Sequence, residues 1–270
     1  MRAITAQQSA GPAPAPVALI FDYESSWAWQ TQPQGENFDY FRLVIDIYRG
    51  LRRLGQTVDI LSPQQAATGL GSYRLVLAPG LFTCAPDLAE AIAASPGTVI
   101  LGPRTASKTA DFQVPANLPP DLPDDIRPGH VTHVETLTEG LTVPMASGGA
   151  AQGNFQYWRE FIIADSGAEI RLATTDGHPA MIRRGGADYL CGWPDRDLLR
   201  HILASACDEA GLQVFELPDG VRMRRVGAMG FVVNYSDDRF DITSLGTNID
   251  IRHGEALLPP SGFAVIDFTG

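Results

Sequence analysis

The feature that most constrains this chain is an alternation, between positions 17 and 101, of short apolar runs with segments of helical periodicity. Val17 to Phe21 is one such run, the pattern of a strand buried on both faces, and it ends at the polar stretch Asp22-Tyr23-Glu24-Ser25-Ser26. From Phe38 to Leu54, Phe41, Val44, Ile45, Tyr48 and Leu51 recur at helical spacing, and Gly55 stands where a helix closes. Thr57 to Leu61 and Arg74 to Ala78 read as strands, Pro86 to Ala94 as a helix with proline in its first turn, and Thr98 to Leu101 as a fourth strand. Such β-α-β units predict a parallel sheet with right-handed crossovers, which places ligands or partners at the carboxyl ends of its strands. The relevant loops begin at Asp22, Pro79 and Gly102.

The Phe38 to Leu54 helix carries a second apolar stripe, Tyr40, Leu43, Ile47 and Leu54, so it has more apolar surface than one sheet face needs. That excess points to a second burial partner, such as another subunit. From Gly102 to about Gly153 the pattern gives way to a Pro, Gly and Asp-rich stretch, and loops of that length are usually functional or contact-making. Structure resumes near Phe155; Ile170 to Thr174 and Ala180 to Arg184 flank the hairpin signal Asp176-Gly177, and Ala187 to Cys191 is a further strand. Asp195 to Ala210 reads as a helix closed by Gly211. Beyond it, Val214 to Leu217, Val221 to Val226, Met229 to Tyr235, Phe240 to Leu245 and Phe263 to Asp267 are short strand-like runs, with a turn at Ser236-Asp237-Asp238. The expected organisation is therefore a Pro-rich linker at 1–16, an α/β domain at 17–211 and a small antiparallel β-sandwich at 212–270. A linker at the start suggests that another domain precedes it.

Charge and length exclude several functions. Twenty Lys and Arg against 31 Asp and Glu give a net charge of −11, a field that repels nucleic acid and anionic membrane surfaces. Three cysteines without C-x-x-C spacing indicate neither a disulfide framework nor a zinc site, and with no signal peptide or membrane span the expected compartment is the reducing cytoplasm. A catalytic (β/α)₈ barrel takes roughly 250 residues. A chain of 270 that already holds the elements above has no room for one.

Candidate chemistry gathers at the predicted carboxyl edge. Asp22 and Glu24, alternating at a strand end, would point the same way as a carboxylate pair suited to acid/base work, or would bind nearby backbone. Trp27 and Trp29 follow either as sugar-stacking groups or as interface or loop-packing residues, the latter being the simpler expectation. Arg104 and Lys108 reach the same edge, where salt bridges to Asp22 or Glu24 are the simplest expectation. Cys84 lies just past a strand, as does the nucleophile of class I amidotransferase-like domains, but Thr83-Cys84-Ala85-Pro86 lacks the glycines of a strained elbow and no His-x-Glu follows. It reads as a small buried hydrophobe. His130 and His133 lack a third ligand, and Gly69-Leu70-Gly71 precedes a strand rather than a helix. No catalytic residue, metal or cofactor is expected.

The run Ala18-Leu19-Ile20-Phe21-Asp22-Tyr23-Glu24-Ser25-Ser26-Trp27-Ala28-Trp29, with the helix ending Tyr48 to Leu54 and Val58-Asp59-Ile60, resembles the trimerisation domain of bacterial β-galactosidases of glycoside hydrolase family 42. Tyr73 to Pro79, Gly102 to Lys108, Phe155 to Glu160, Gly177-His178-Pro179-Ala180 and Leu190 to Pro194 follow that family's order, and Leu257 to Val265 is similar to its C-terminal β domain. The resemblance implies a flavodoxin-like, class I amidotransferase-like sheet followed by a small β domain, with a cytoplasmic homotrimer as the assembly. It also implies a parent enzyme that hydrolyses terminal β-D-galactosyl residues on a barrel this chain lacks. The alternatives are a chain that works with a separate barrel and a stand-alone carbohydrate-binding protein.

Overall fold

A computed structural model describes residues 15–146, 152–246 and 249–268. The linker expected at 1–16 lies, but for its last two residues, outside them. The chain divides into two compact units: Val17–Gly50 with Ile60–Gln213, and Leu51–Asp59 with Val214–Gly270.

The larger unit is built on a seven-stranded sheet. Its strands are β1 (Val17–Ile20), β2 (Val58–Leu61), β3 (Leu75–Ala78), β4 (Thr98–Leu101), β8 (Glu169–Ala173), β9 (Pro179–Arg184) and β10 (Ala187–Leu190), in the order β2-β1-β3-β4-β10-β9-β8. β1, β3, β4 and β10 run parallel, with Val17 opposite Leu75, Leu75 opposite Thr98 and Val99 opposite Ala187. β9 and β8 extend the sheet as an antiparallel hairpin turned at Asp176-Gly177, so the sheet is mixed rather than parallel throughout.

β1, β3 and β10 are buried at every position, as strands covered on both faces must be. Helices α3 (Pro63–Gly69) and α4 (Pro86–Ala93) cover one face, packing Ala66, Leu88 and Ile92 on Ile20, Val76 and Leu101. The helix α3 has no apolar stripe to reveal it in sequence. Its signal is the capping box of Ser62 and Gln65, each side chain bonded to the other's backbone N–H. Helices α2 (Tyr40–Arg53) and α5 (Arg196–Glu209) lie on the other face, where Leu43, Ile47, Leu199 and Ile202 close with Leu77 and Ile100 around a void of only about 10 Å³. Gly50 sets their approach, since a Cβ there would lie 2.6 Å from Leu203 Cδ1.

Both stripes of α2 reach the core, since Val44 and Leu51 of the first are buried along with the whole of the second. Tyr40, Leu43, Ile47 and Leu54 are buried, while Phe41 is exposed and Ile45 and Tyr48 are only half-buried. The surplus apolar surface is thus on the Phe41 side.

The long segment after β4 is more ordered than its composition suggests. Ala106, Leu122 and Ile126 join the core, and strands β5 (Gly129–Thr136) and β6 (Thr142–Pro144) pair with β7 (Asn154–Ala164), which also pairs with β11 (Gly192–Pro194). β5 escapes a sequence reading because half of its residues are exposed and only Gly129 is fully buried, leaving no apolar alternation to find.

In the smaller unit β12 (Val221–Val226), β13 (Met229–Asn234), β17 (Phe263–Phe268) and β15 (Ile249–His253) form a four-stranded antiparallel sheet. β14 (Phe240–Asp241) and β16 (Leu257–Leu258) form a two-stranded ribbon, and Phe240, Ile242 and Leu258 pack on Val221, Val232 and Ile266. Two strand expectations fail here. Val214 to Leu217 joins no ladder, because the N–H groups of Phe215 and Leu217 bond instead to the carbonyls of Leu54 and Arg53. Phe240 to Leu245 is strand for two residues only, because Asp241 then caps a 3₁₀ turn at Ile242–Leu245.

Candidate functional site

The carboxyl edge of the larger sheet differs from the expected arrangement at its first step. Asp22 does not extend β1; it caps a helix, α1 (Tyr23–Thr31), accepting the N–H of Glu24 at 3.2 Å and that of Ser25 at 2.9 Å. The Ser25 hydroxyl donates to Asp22 Oδ2 at 2.6 Å and accepts the Phe82 N–H, while the Asp22 N–H donates to the Tyr40 hydroxyl. Asp22 is therefore occupied by backbone and buried, whereas Glu24 is exposed. Helix periodicity separates two groups that strand periodicity would have aligned, and no carboxylate pair forms.

The two tryptophans separate in the same way. Trp29 is 3% exposed, its indole N–H donates to the Gly80 carbonyl at 3.1 Å, and its ring stacks on Phe38, which stacks on Trp158. The positive φ of Gly80 serves this contact, since a Cβ there would lie 2.7 Å from the indole. Trp27 is 60% exposed, beside Tyr23 at 66% and Phe41 at 53%. The Phe21 ring lies 4.8 Å from Tyr23 and 5.9 Å from Phe41, and Tyr23 lies 6.3 Å from Trp27.

Arg104 does not salt-bridge to Asp22 or Glu24. It is buried with φ 70°, its guanidinium lies 4.9 Å from the Phe82 ring and 5.1 Å from the Trp158 ring, and its Nε has no hydrogen-bond partner. Its charge is balanced by Glu160, whose Oε1 accepts the Arg104 backbone N–H at 3.0 Å and the Trp158 indole N–H at 3.4 Å, and whose Oε2 accepts the Tyr189 hydroxyl at 2.8 Å. Burial pushes the Glu160 carboxyl up and the Arg104 guanidinium down, with their mutual attraction opposing both shifts. Lys108 is half-buried, and its backbone N–H donates to the Phe82 carbonyl.

Glu160 and Tyr189 were not among the expected site residues. Their signal is a charge at an inward position of β7, between Trp158 and Ile162. The pair organises the interior, since both side chains are spent on protein partners. Cys84 is half-buried with its thiol pushed up to about 12 by burial and by Asp87, so it is no thiolate nucleophile. His130 and His133 lie on β5 rather than in a loop, where His133 stacks on Phe161 at 4.0 Å. Among the described residues no group of His, Cys, Asp or Glu is arranged to hold a metal ion, and no helix is long and apolar enough to cross a membrane.

Fold and edge together define a mixed α/β unit whose sheet edge displays aromatic surface and whose Asp22 and Arg104 are engaged by protein groups. Comparison gives the family. The β-galactosidase trimerisation domain family matches residues 15–213, and the chain belongs to it, within glycoside hydrolase family 42. A β-galactosidase of Thermus thermophilus is 38% identical over 226 residues, covering 84% of this chain and 34% of that protein. One of Halorubrum lacusprofundi is 32% identical over 254 residues, covering 86% and 36%. The solved β-galactosidase of the psychrophilic Marinomonas ef1 superimposes with a TM-score of 0.84 at 31% identity, covering 95% of this chain and 38% of the other. The chain thus spans about a third of the length of the curated relatives it matches.

Proposed function

We propose that this chain is the non-catalytic assembly portion of a β-galactosidase: it forms a homotrimer and hydrolyses no galactoside by itself. The observation that carries the reading is the family match over residues 15–213 in a chain spanning about a third of its relatives. The engaged state of Asp22, Arg104 and Glu160 supports it, because each is held by protein groups rather than turned toward a substrate. A galactosyl-hydrolysing barrel would act as the catalytic partner. The strand order β2-β1-β3-β4-β10 supports a flavodoxin-like reading of the larger sheet. Unpaired Cys84, Cys191 and Cys207 suit a cytoplasmic protein.

Light scattering tests this directly. Three copies of 29.1 kDa predict a concentration-independent mass of about 87 kDa, with no release of nitrophenol from a nitrophenyl β-galactoside. A mass of one chain at every concentration overturns the assembly reading, and turnover overturns the non-catalytic one.

A further inference from the structure

The turn that follows β4 holds two residues with side chains at positive φ, Arg104 at 70° and Ala106 at 51°. Backbone of that kind persists only where its surroundings fix it, and it gathers at sites that use a side chain. Here the Ala106 N–H donates to the Leu81 carbonyl at 2.7 Å, the Thr105 hydroxyl to that of Ala78 at 3.1 Å and the Ser107 hydroxyl to that of Arg104 at 2.7 Å. Gly102 lets the turn lie against the end of β3, since a Cβ there would lie 2.7 Å from Pro79 Cα. The side chain that this turn fixes, at the end of the sheet where open α/β folds bind their ligands, is Arg104.

Arg104 is only 9% exposed, and its guanidinium rests against two enclosed rings, Phe82 at 4.9 Å and Trp158 at 5.1 Å. Among the described residues none accepts a hydrogen bond from that guanidinium, and its Nε is sealed from solvent. Glu160 supplies countercharge but no acceptor, because its oxygens are taken by the Arg104 backbone N–H, the Trp158 indole and the Tyr189 hydroxyl. Buried donors are nearly always paired, and the aromatic walls offer nothing to pair with. With Nε sealed, the opening that remains leads to the two terminal nitrogens, a planar fork of N–H groups whose geometry matches a carboxylate.

We propose that Arg104 anchors a binding site for a small, singly charged carboxylate, held end-on by the two terminal nitrogens of its guanidinium. Three features choose that class. A water in the same place would find the guanidinium on one side and rings on the others, whereas a buried water makes about three hydrogen bonds. Chloride lacks the two oxygens that form parallel bonds with the fork. A doubly charged phosphate would bring a second negative charge toward Glu160, which is itself 3% exposed and poorly solvated. The narrow opening limits the ligand to the size of formate or acetate. The site stands apart from the assembly reading, because every residue that builds it belongs to one copy of the chain.

Formate titrated into the whole chain, against chloride at equal ionic strength, tests the proposal. The few heavy atoms of formate cap its dissociation constant at on the order of 1 mM. At about 50 mM the thermal midpoint is expected to rise by roughly 5 °C over chloride, and the carbon line of isotopically labelled formate to broaden saturably with protein. Arg104→Lys keeps the charge but loses the fork, so it should weaken formate by about tenfold or more, with the near-ultraviolet circular dichroism of the buried tryptophans retained. If that variant fails to fold, Arg104→Met combined with Glu160→Gln removes charge and countercharge together and should abolish the response. Equal midpoints in formate and chloride overturn the proposal whatever the variants do, as does a formate response that survives Arg104→Lys undiminished. Formate that lowers the mass seen by light scattering overturns it as well, since the acceptor would then be a carboxylate of another copy. The assembly reading is decided by mass in the absence of formate, so the two failures are distinguishable.

Discussion

The helix α1 holds two tryptophans two residues apart with opposite fates, and the contrast separates what builds this domain from what it offers. Trp29 is enclosed by Phe38, Tyr40 and Gly80, with its indole nitrogen bonded. Trp27, about 200° further round the helix at 3.6 residues per turn, faces out beside Tyr23. Helices that only cover a sheet keep large aromatics on the covered side. One that displays them on both sides keeps apolar surface that folding leaves uncovered, as the proposed assembly would require.

The inward side gives the largest expected effect. Trp29→Ala removes a buried indole and leaves the Gly80 carbonyl without its donor, so about 3–5 kcal/mol of unfolding free energy is lost, read as a fall in the urea midpoint. Trp29→Phe keeps the stack on Phe38 and loses the hydrogen bond, so it should recover most of that loss. Equal midpoints for Trp29→Ala and wild type would break the comparison, because the inner ring would then contribute nothing to the fold.

Asp22 comes next. Asp22→Ala removes the acceptor for two backbone N–H groups and for the Ser25 hydroxyl, and N-cap losses run at roughly 0.5–2 kcal/mol. Asp22→Asn and Asp22→Ser can still cap and should restore most of it. A carboxylate that acted chemically would not be rescued in that way, so the rescue distinguishes a helix cap from an acid/base group.

How far the sequence reveals this edge follows from the kind of signal each residue leaves. The strands β1, β3 and β4 are legible because burial on both faces writes an unbroken apolar run, and α2 is legible because two stripes recur at helical spacing. The helix α1 is not, since Tyr23-Glu24-Ser25-Ser26-Trp27 carries no stripe and its one marker, a capping Asp22, equally suits a strand end. A strand reading of that segment aligns Asp22 with Glu24 and hides the division between Trp27 and Trp29. Arg104 follows β4, but the charge it meets is Glu160 and not the expected Asp22 or Glu24. Glu160 lies 56 residues away in sequence on β7, and a long-range buried pair leaves no periodicity to follow. The resemblance to the trimerisation domain survives these local errors because it rests on the order of many segments rather than on any one side chain.

The smallest effect on folding belongs to Trp27, and it sharpens the comparison most. At protein concentrations low enough to hold copies apart, Trp27→Ala should move the unfolding free energy by no more than about 0.5 kcal/mol, as for exposed side chains generally. Among the described residues the ring close to it is Tyr23, itself exposed, so little packing is lost. In the homotrimer proposed above, a Trp27 that anchors a neighbouring copy would on truncation cost about 2 kcal/mol or more per interface, roughly a thirtyfold loss of affinity for each. The mass measured on dilution should therefore fall toward one chain at concentrations where wild type remains trimeric. A substitution that weakened folding and assembly equally would mean that Trp27 supports α1 rather than a neighbouring copy, and the division between its two faces would be lost.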